Sequence, residues 1–294
     1  MTAGEKGFLL LTSHLGDPER KPLTTAQFRT LSHRVLAATP QTDLREMGLR
    51  DLLALGYGRE DASRILSLLD EEFRLTAYLR RAKSMDISPL TRLSDRYPLA
   101  LRSHLGTVAP GCIWYKGNVS LLEQPAIALV GSRQLTASGG EFARLAGQQA
   151  AIQGYVLISG NARGADQTAQ DACLDAGGAV ICVIADELSQ HSPSENELFL
   201  CEDSFDFPFS ALRALSRNRL IHSMGLLTLV AQCSLETGGT WDGTTKNLRH
   251  GWTPVFCHND GSEASAQLEL LGAELIDPDQ LSDLSSLPRK NSLI

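Results

Sequence analysis

The run Ala126–Arg133, AIALVGSR, constrains the fold more than any other stretch of the chain. It is a short apolar strand that stops on Gly-Ser-Arg, with Thr136 and Gly139 next, before a helix-like segment. A strand buried on both faces reads as a near-continuous apolar run, and Ile127, Leu129 and Val130 supply one. Gly131 and Ser132 let the backbone turn sharply, so the amides that open the next helix face outward. Converging amide dipoles attract anions, and the donor fork of Arg133 suits a phosphate. Tyr155–Asp166, YVLISGNARGAD, repeats the pattern. Val156–Ile158 is its strand, Ser159 and Gly160 its turn, and Arg163-Gly164 precede a helix from about Ala165 to Ala176. A third corner follows the strand-like LLTLVAQCS and closes on Thr237-Gly238-Gly239-Thr240. A single glycine corner is only a tight turn. Three of them, with Arg or Ser/Thr beside glycine, point to an anion site.

Ala179–Ile184 (AVICVI) and Thr253–Cys257 (TPVFC) read as further buried strands. Strands alternating with helical stretches predict an α/β, doubly wound, mainly parallel sheet over residues 125–280. In such sheets the loops at the carboxyl ends of the strands gather into one crevice. Arg133, Arg163 and Arg217 are expected to converge there, with Arg219 nearby.

Across the chain's 294 residues the formal net charge is −7, which counts against a uniformly basic surface for polyanions. Positive charge must therefore be concentrated locally, as at Arg133, Arg163, Arg213, Arg217, Arg219, Lys246 and Arg249. No apolar run approaches the roughly 20 residues of a membrane span. The start, MTAGEKGFLLLTSHLGD, lacks a leader-like cleavage region, and a cytoplasmic location is expected. The six cysteines are scattered without a CxxC pair or a histidine at ligand spacing, so buried thiols are expected and no metal site.

Residues 1–85 read as a small helical domain. Thr24–Ala38 has helical spacing, and Phe73–Lys83 is a further helix. Gly56-Tyr57-Gly58 within Leu49–Leu69 matches a SAM-like or helix–hairpin–helix turn. Such a turn either holds a phosphate on its amides or is an ordinary packed corner. A connector with an edge strand at Cys112–Lys116 is expected over 86–124, and a loose tail over 281–294.

Five pieces occur here in a telling order: YPLALRSHLGTVAPGCIWYKGNVSLLEQPAIALVGSR, SGNARGADQTAQ, GGAVICVI, PSEN (Pro193–Asn196) and SRNRLI (Ser216–Ile221). Together they resemble the Rossmann-like domain of the DprA/Smf DNA-processing proteins. The resemblance implies a non-enzymatic, cofactor-free binder of single-stranded DNA that acts in natural transformation, protects incoming strands and loads a RecA-type recombinase. It also implies a homodimer formed through the Rossmann-like domain. The family's pocket maps onto Gly131, Ser132 and Arg133, onto Ser159, Gly160, Arg163, Gly164 and Asp166, and onto Arg217, Asn218 and Arg219. Thr136, Asn196, Gly238, Gly239 and Thr240 complete the candidate set. Asp166 is expected to cap its helix, and Asn218 to make a polar contact or fix a loop.

The chain departs from the family pattern in several places. Gln170 replaces a histidine, a glycine-rich turn has become Ala185–Ser189, and Gln232 replaces an acid. The third corner carries Trp241, and SFDFPFSALRAL adds Phe205, Phe207 and Phe209. Bases would stack on Phe205, Phe207 or Trp241 if these face the pocket; otherwise they pack the core. The alternative function is a nucleotide or nucleotide-signal binder, a sensor or a phosphoribohydrolase-like enzyme. Against hydrolysis, Lys246 and Asn247 stand where that chemistry needs an acid.

Overall fold

The computed structural model describes residues 1–38 and 47–287, so the end of the expected tail lies outside the described residues. The chain forms two compact units. One comprises Met1–Tyr97, Thr107–Trp114 and Glu202–Phe207; the other comprises Pro98–Gly106, Tyr115–Cys201 and the chain from Pro208. The expected connector is thus divided between the units.

In the first unit, α1 (Ala3–Thr12), α2 (Thr25–Ala38), α3 (Leu49–Ala54), α4 (Arg59–Leu69) and α5 (Glu72–Lys83) precede β1 (Ser88–Thr91). Thr2 and Glu5 form a reciprocal capping box that starts α1. The apolar run Phe8–Leu11, unremarkable in the sequence, is wholly buried. Leu11, Leu31, Val35, Leu52, Ile65 and Leu68 share one core. Phe205 returns to this unit because its ring stacks on Tyr78 at 4.6 Å and meets Trp114 at 5.1 Å. Asp206 accepts from the Tyr78 hydroxyl at 2.7 Å and pairs with Arg81 at 2.9 Å.

The hairpin between α3 and α4 is a packed corner. The Gly56 and Tyr57 amides already donate to Leu53 and Leu52 carbonyls at 3.0 and 3.2 Å. Arg34 Nη1 donates to the Leu55 and Gly56 carbonyls at 3.3 and 3.2 Å, with its guanidinium 4.6 Å over the Tyr57 ring. Glu60 and Asp61 occupy the first turn of α4, where a phosphate would sit.

The second unit begins with α6 (Leu99–Leu105). The strand β2 (Cys112–Gly117) runs from one unit into the other. β2 was expected at an edge, but β1 and β6 (Glu197–Glu202) flank it, in keeping with the burial of Cys112, Ile113 and Trp114. The remaining elements are β3 (Ala126–Val130), α7 (Ala137–Ile152), β4 (Val156–Ser159), α8 (Ala165–Asp175), β5 (Val180–Val183) and, after β6, α9 (Ala211–Met224). Then follow β7 (Thr228–Val230), α10 (Gly238–His250), β8 (Val255–His258), α11 (Glu263–Leu270) and β9 (Glu274–Ile276).

Seven parallel strands run in the order β6-β5-β4-β3-β7-β8-β9. Ala128 pairs with Ile158 on one side and Thr228 on the other. The doubly wound fold read from the glycine corners is present. Strand order reverses between β3 and β7. Right-handed crossovers therefore put α7 and α8 on one face and α9 and α10 on the other.

β6 and β9 escaped the sequence reading. The first was masked by the PSEN turn before it, and the second has only three residues with Glu274 exposed. Part of the segment expected to be loose is packed. Leu281, Leu284 and Leu287 are buried, and the Leu284 amide donates to Gln153 Oε1 at 2.7 Å.

Candidate functional site

Where the helices after β3 and β7 diverge, a cleft of about 470 Å³ opens at the carboxyl edge of the sheet. Of the predicted residues, Gly131, Ser132, Arg133, Asp166, Arg217, Asn218, Gly238, Gly239 and Thr240 line it. Cys233 and Ser234, just past β7, and Ala211, Ala214 and Leu215 on α9 complete the wall. Sequence reasoning missed these five; their only signal was proximity to a glycine corner and to the SRNRLI run.

The two arginines in the cleft differ in kind. Arg217 is buried, and its Nη2 donates to the Gly160 carbonyl at 2.7 Å while Nη1 donates to Asn218 Oδ1 at 3.1 Å. Any side chain at Gly160 would run into this guanidinium. Arg133 is exposed on the cleft wall and makes no side-chain hydrogen bond or ion pair among the described residues. Arg217 therefore builds the wall, and Arg133 is the cation facing the space.

Asp166 is a buried brace. Its Oδ2 accepts from the amides of Gly160 at 3.1 Å and Ala162 at 3.3 Å. Expected to cap α8, it instead holds the preceding loop. Burial pushes its carboxyl above the ordinary range, while the charge on Arg217 and the two amides pull it back. Burial likewise draws Arg217 below its usual value, against the attraction of Asp166.

The three glycine corners are thus not equivalent. At the second, the protein's own carboxylate occupies the amides. At the first, Thr136 caps α7 by accepting from Gly139 at 3.1 Å, and Gln232 Oε1 accepts from the Thr136 amide at 2.9 Å. The third is open. Thr237 makes no side-chain cap for α10, so the first-turn amides at Gly238, Gly239 and Thr240 have no intrahelical partner. Asn218 Nδ2 and Thr240 Oγ1 fix this turn by donating to Gly239 and Gly131 carbonyls at 3.0 and 2.8 Å. An uncapped helix start and an exposed arginine thus line one cleft, a combination whose chemistry suits an anion.

Several predicted residues lie elsewhere. Asn196 is exposed just before β6, at the amino end of the sheet, because the parallel order puts its carbonyl against the start of β5. Arg163 and Gly164 do not line the cleft; Arg163 is exposed on the turn before α8. Ser159 is buried, accepting from Gln170 Nε2 at 2.6 Å. Arg219 folds back onto Ser216, donating to its carbonyl at 2.6 Å. Arg213 Nη1 donates to the Ala185 and Pro208 carbonyls. Asp186 pairs with His191 at 3.1 Å, which holds its carboxyl below the usual range. Phe205 and Phe207 belong to the first unit, and Trp241 lines a different groove with Leu248 and Leu271.

Behind the cleft, α9 and α10 are tied by a buried polar cluster. Asn247 donates to Thr253 Oγ1 at 3.0 Å and accepts its amide at 2.9 Å, and Thr253 Oγ1 donates to the His222 carbonyl at 3.0 Å. Asn247 therefore faces the core. Complete burial pulls His222 down from 6.5 to about 3. Unfolding restores the ordinary value, so between these pH values the unfolded chain binds a proton that the native chain refuses. Stability is full above pH 6.5 and drains as pH falls, by up to about 1.4 kcal/mol per pH unit for this ring. His222→Gln is expected to flatten the pH dependence of urea unfolding in that window. Parallel curves for the two proteins would contradict this.

A mainly parallel α/β sheet with a cleft at its switch point defines a Rossmann-like domain. The family model for DNA recombination-mediator protein A matches residues 88–280, and the chain belongs to this DprA/Smf family. DNA processing protein DprA of Streptococcus pneumoniae is 32% identical over 167 residues, covering 50% of this chain and 54% of that protein. The chain thus spans about half the length of the first relatives it matches. The X-ray structure of the pneumococcal protein shares the fold, with a TM-score of 0.68, 24% identity and coverage of 91% of this chain and 99% of the other. DNA processing protein A of Helicobacter pylori, solved for its single-stranded DNA binding mode, gives a TM-score of 0.57 at 22% identity, covering 67% and 94%.

Proposed function

We propose that the cleft binds single-stranded DNA through its phosphates without cleaving it. The observation that carries this reading is the pairing of an unengaged Arg133 with the uncapped start of α10. The single-stranded DNA bound by the Helicobacter pylori relative supports the same ligand class. Burial pushes the Cys233 thiol up to about 11, so the one thiol on the cleft wall is protonated and a poor nucleophile at neutral pH. In the cell the protein protects incoming strands during natural transformation and hands them to a RecA-type recombinase, acting as a cytoplasmic homodimer.

Arg133→Ala is expected to weaken binding of labelled oligonucleotides of every sequence alike. It should also reduce the salt dependence by about 0.7 units of log–log slope, the contribution of one single-strand phosphate contact. Arg133→Lys should recover part of the affinity, because a point charge replaces a planar fork. Tight binding of a mononucleotide with indifference to oligo-dT at low salt would replace this reading with that of a nucleotide sensor.

A further inference from the structure

The first unit carries a second basic groove that the cleft does not use. It has a volume of about 840 Å³ and is lined from α2 by Thr24, Arg29, Thr30, His33 and Arg34, and from the other side by Thr107 and Val108. Arg29 and His33 lie one helical turn apart on the same face, both exposed and, among the described residues, without a partner. Arg34 stands beside them with its guanidinium fixed by the two hairpin carbonyls and the Tyr57 ring. Among the described residues no carboxylate lines the groove, and α2 contains no Asp or Glu. In a chain of net charge −7 this is a marked local reversal.

We infer that this groove is a second contact for the phosphate backbone of a nucleic-acid strand, an inference that rests on the nucleic-acid reading of the chain. Cations interleaved with threonine hydroxyls match phosphate and sugar oxygens, and the wall has no base-reading pattern, so the contact is independent of sequence. An acidic protein partner fits less well. Protein interfaces are anchored by large side chains in apolar pockets, and here the apolar lining is only Ala26 and Val108.

The test uses the full chain and a labelled oligo-dT of about 30 nucleotides, longer than one binding site of this kind occupies. Arg29→Ala should weaken binding about threefold to tenfold at low salt and lower the log–log salt slope by about 0.7. Its thermal midpoint should match that of the parent, because Arg29 is exposed. Arg29→Lys should restore the slope, since an exposed contact needs only the charge. Combined with Arg133→Ala, the two losses should add, as for separate sites. If Arg29→Ala leaves affinity and slope unchanged while Arg133→Ala lowers both, the groove is not a contact. If only Arg29→Ala acts, the groove stands and the reading of the cleft falls. Poly-glutamate displacing oligo-dT from the parent but not from Arg29→Ala would reassign the groove to an acidic protein and overturn the proposal.

Discussion

Asp166→Ala is expected to destabilise the second unit by about 2–5 kcal/mol, because two buried amides lose their acceptor at about 1–3 kcal/mol each and a nearby carboxylate no longer offsets the buried charge of Arg217. Two effects add. The buried Arg217 guanidinium loses the larger of the two carboxylate charges, Asp166 and Asp186, that favour its ionised form. The amides of Gly160 and Ala162 lose their common acceptor. Urea unfolding should show a lower midpoint with an unchanged slope. Replacing both partners, as Asp166→Leu with Arg217→Met, should cost less than the sum of the single changes, because no charge is then stranded. Additive losses would show that the two side chains do not act as a pair. Oligonucleotide binding offers a second readout. Asp166 lines the cleft but is buried with its carboxylate engaged by two amides, so its removal should reduce the folded fraction more than the salt slope.

The second large effect is expected at Gly147, in the middle of α7. A methyl group there would run into the backbone carbonyl of Ala169 on α8, and no flexible side chain is available to give way. Alanine is the better helix former by about 1 kcal/mol, which opposes the loss. Overpacking a closed core costs about 1–3 kcal/mol and more when backbones must part, so the steric term wins. Gly147→Ala should lower the thermal midpoint by several degrees, and Gly147→Val by more. A rise in the midpoint would mean that the two helices can separate without penalty.

The sheet was legible because its strands are buried on both faces. Ile127–Val130, Val156–Ile158 and Ile181–Val183 are apolar throughout, so composition alone marked them. β9 has the opposite character: with Glu274 exposed and three residues in all, it carries almost no periodic signal. The cleft was half legible. Glycine next to arginine marked the corners, but a motif does not say whether a corner's amides are free. Asp166 and Thr136 occupy two of them from within, and that depends on side-chain direction rather than on spacing. The same limit explains Arg217 and Arg219, two residues apart in one motif. Helical geometry turns the first into the wall and the second back onto Ser216. Phe205 stays open between base stacking and core packing in the sequence for a different reason: its partners Tyr78 and Trp114 are remote in the chain, and no local pattern announces them.

The reversal of strand order between β3 and β7 also sets the schedule on which the site can exist. The four adjacent strands β3 to β6 all precede α9 in the chain and are synthesised before it. At that stage neither Arg217, which lies over Gly160, nor the start of α10, which shares the cleft with Arg133, has been made. Only when α9 crosses back and β7 pairs beside β3 do Arg217, Asn218 and the start of α10 arrive together. These contacts span long stretches of sequence and form late. A nascent or truncated chain ending near β6 would therefore carry the first glycine corner without the rest of the cleft, and whatever the cleft holds could be held only once the fold is complete.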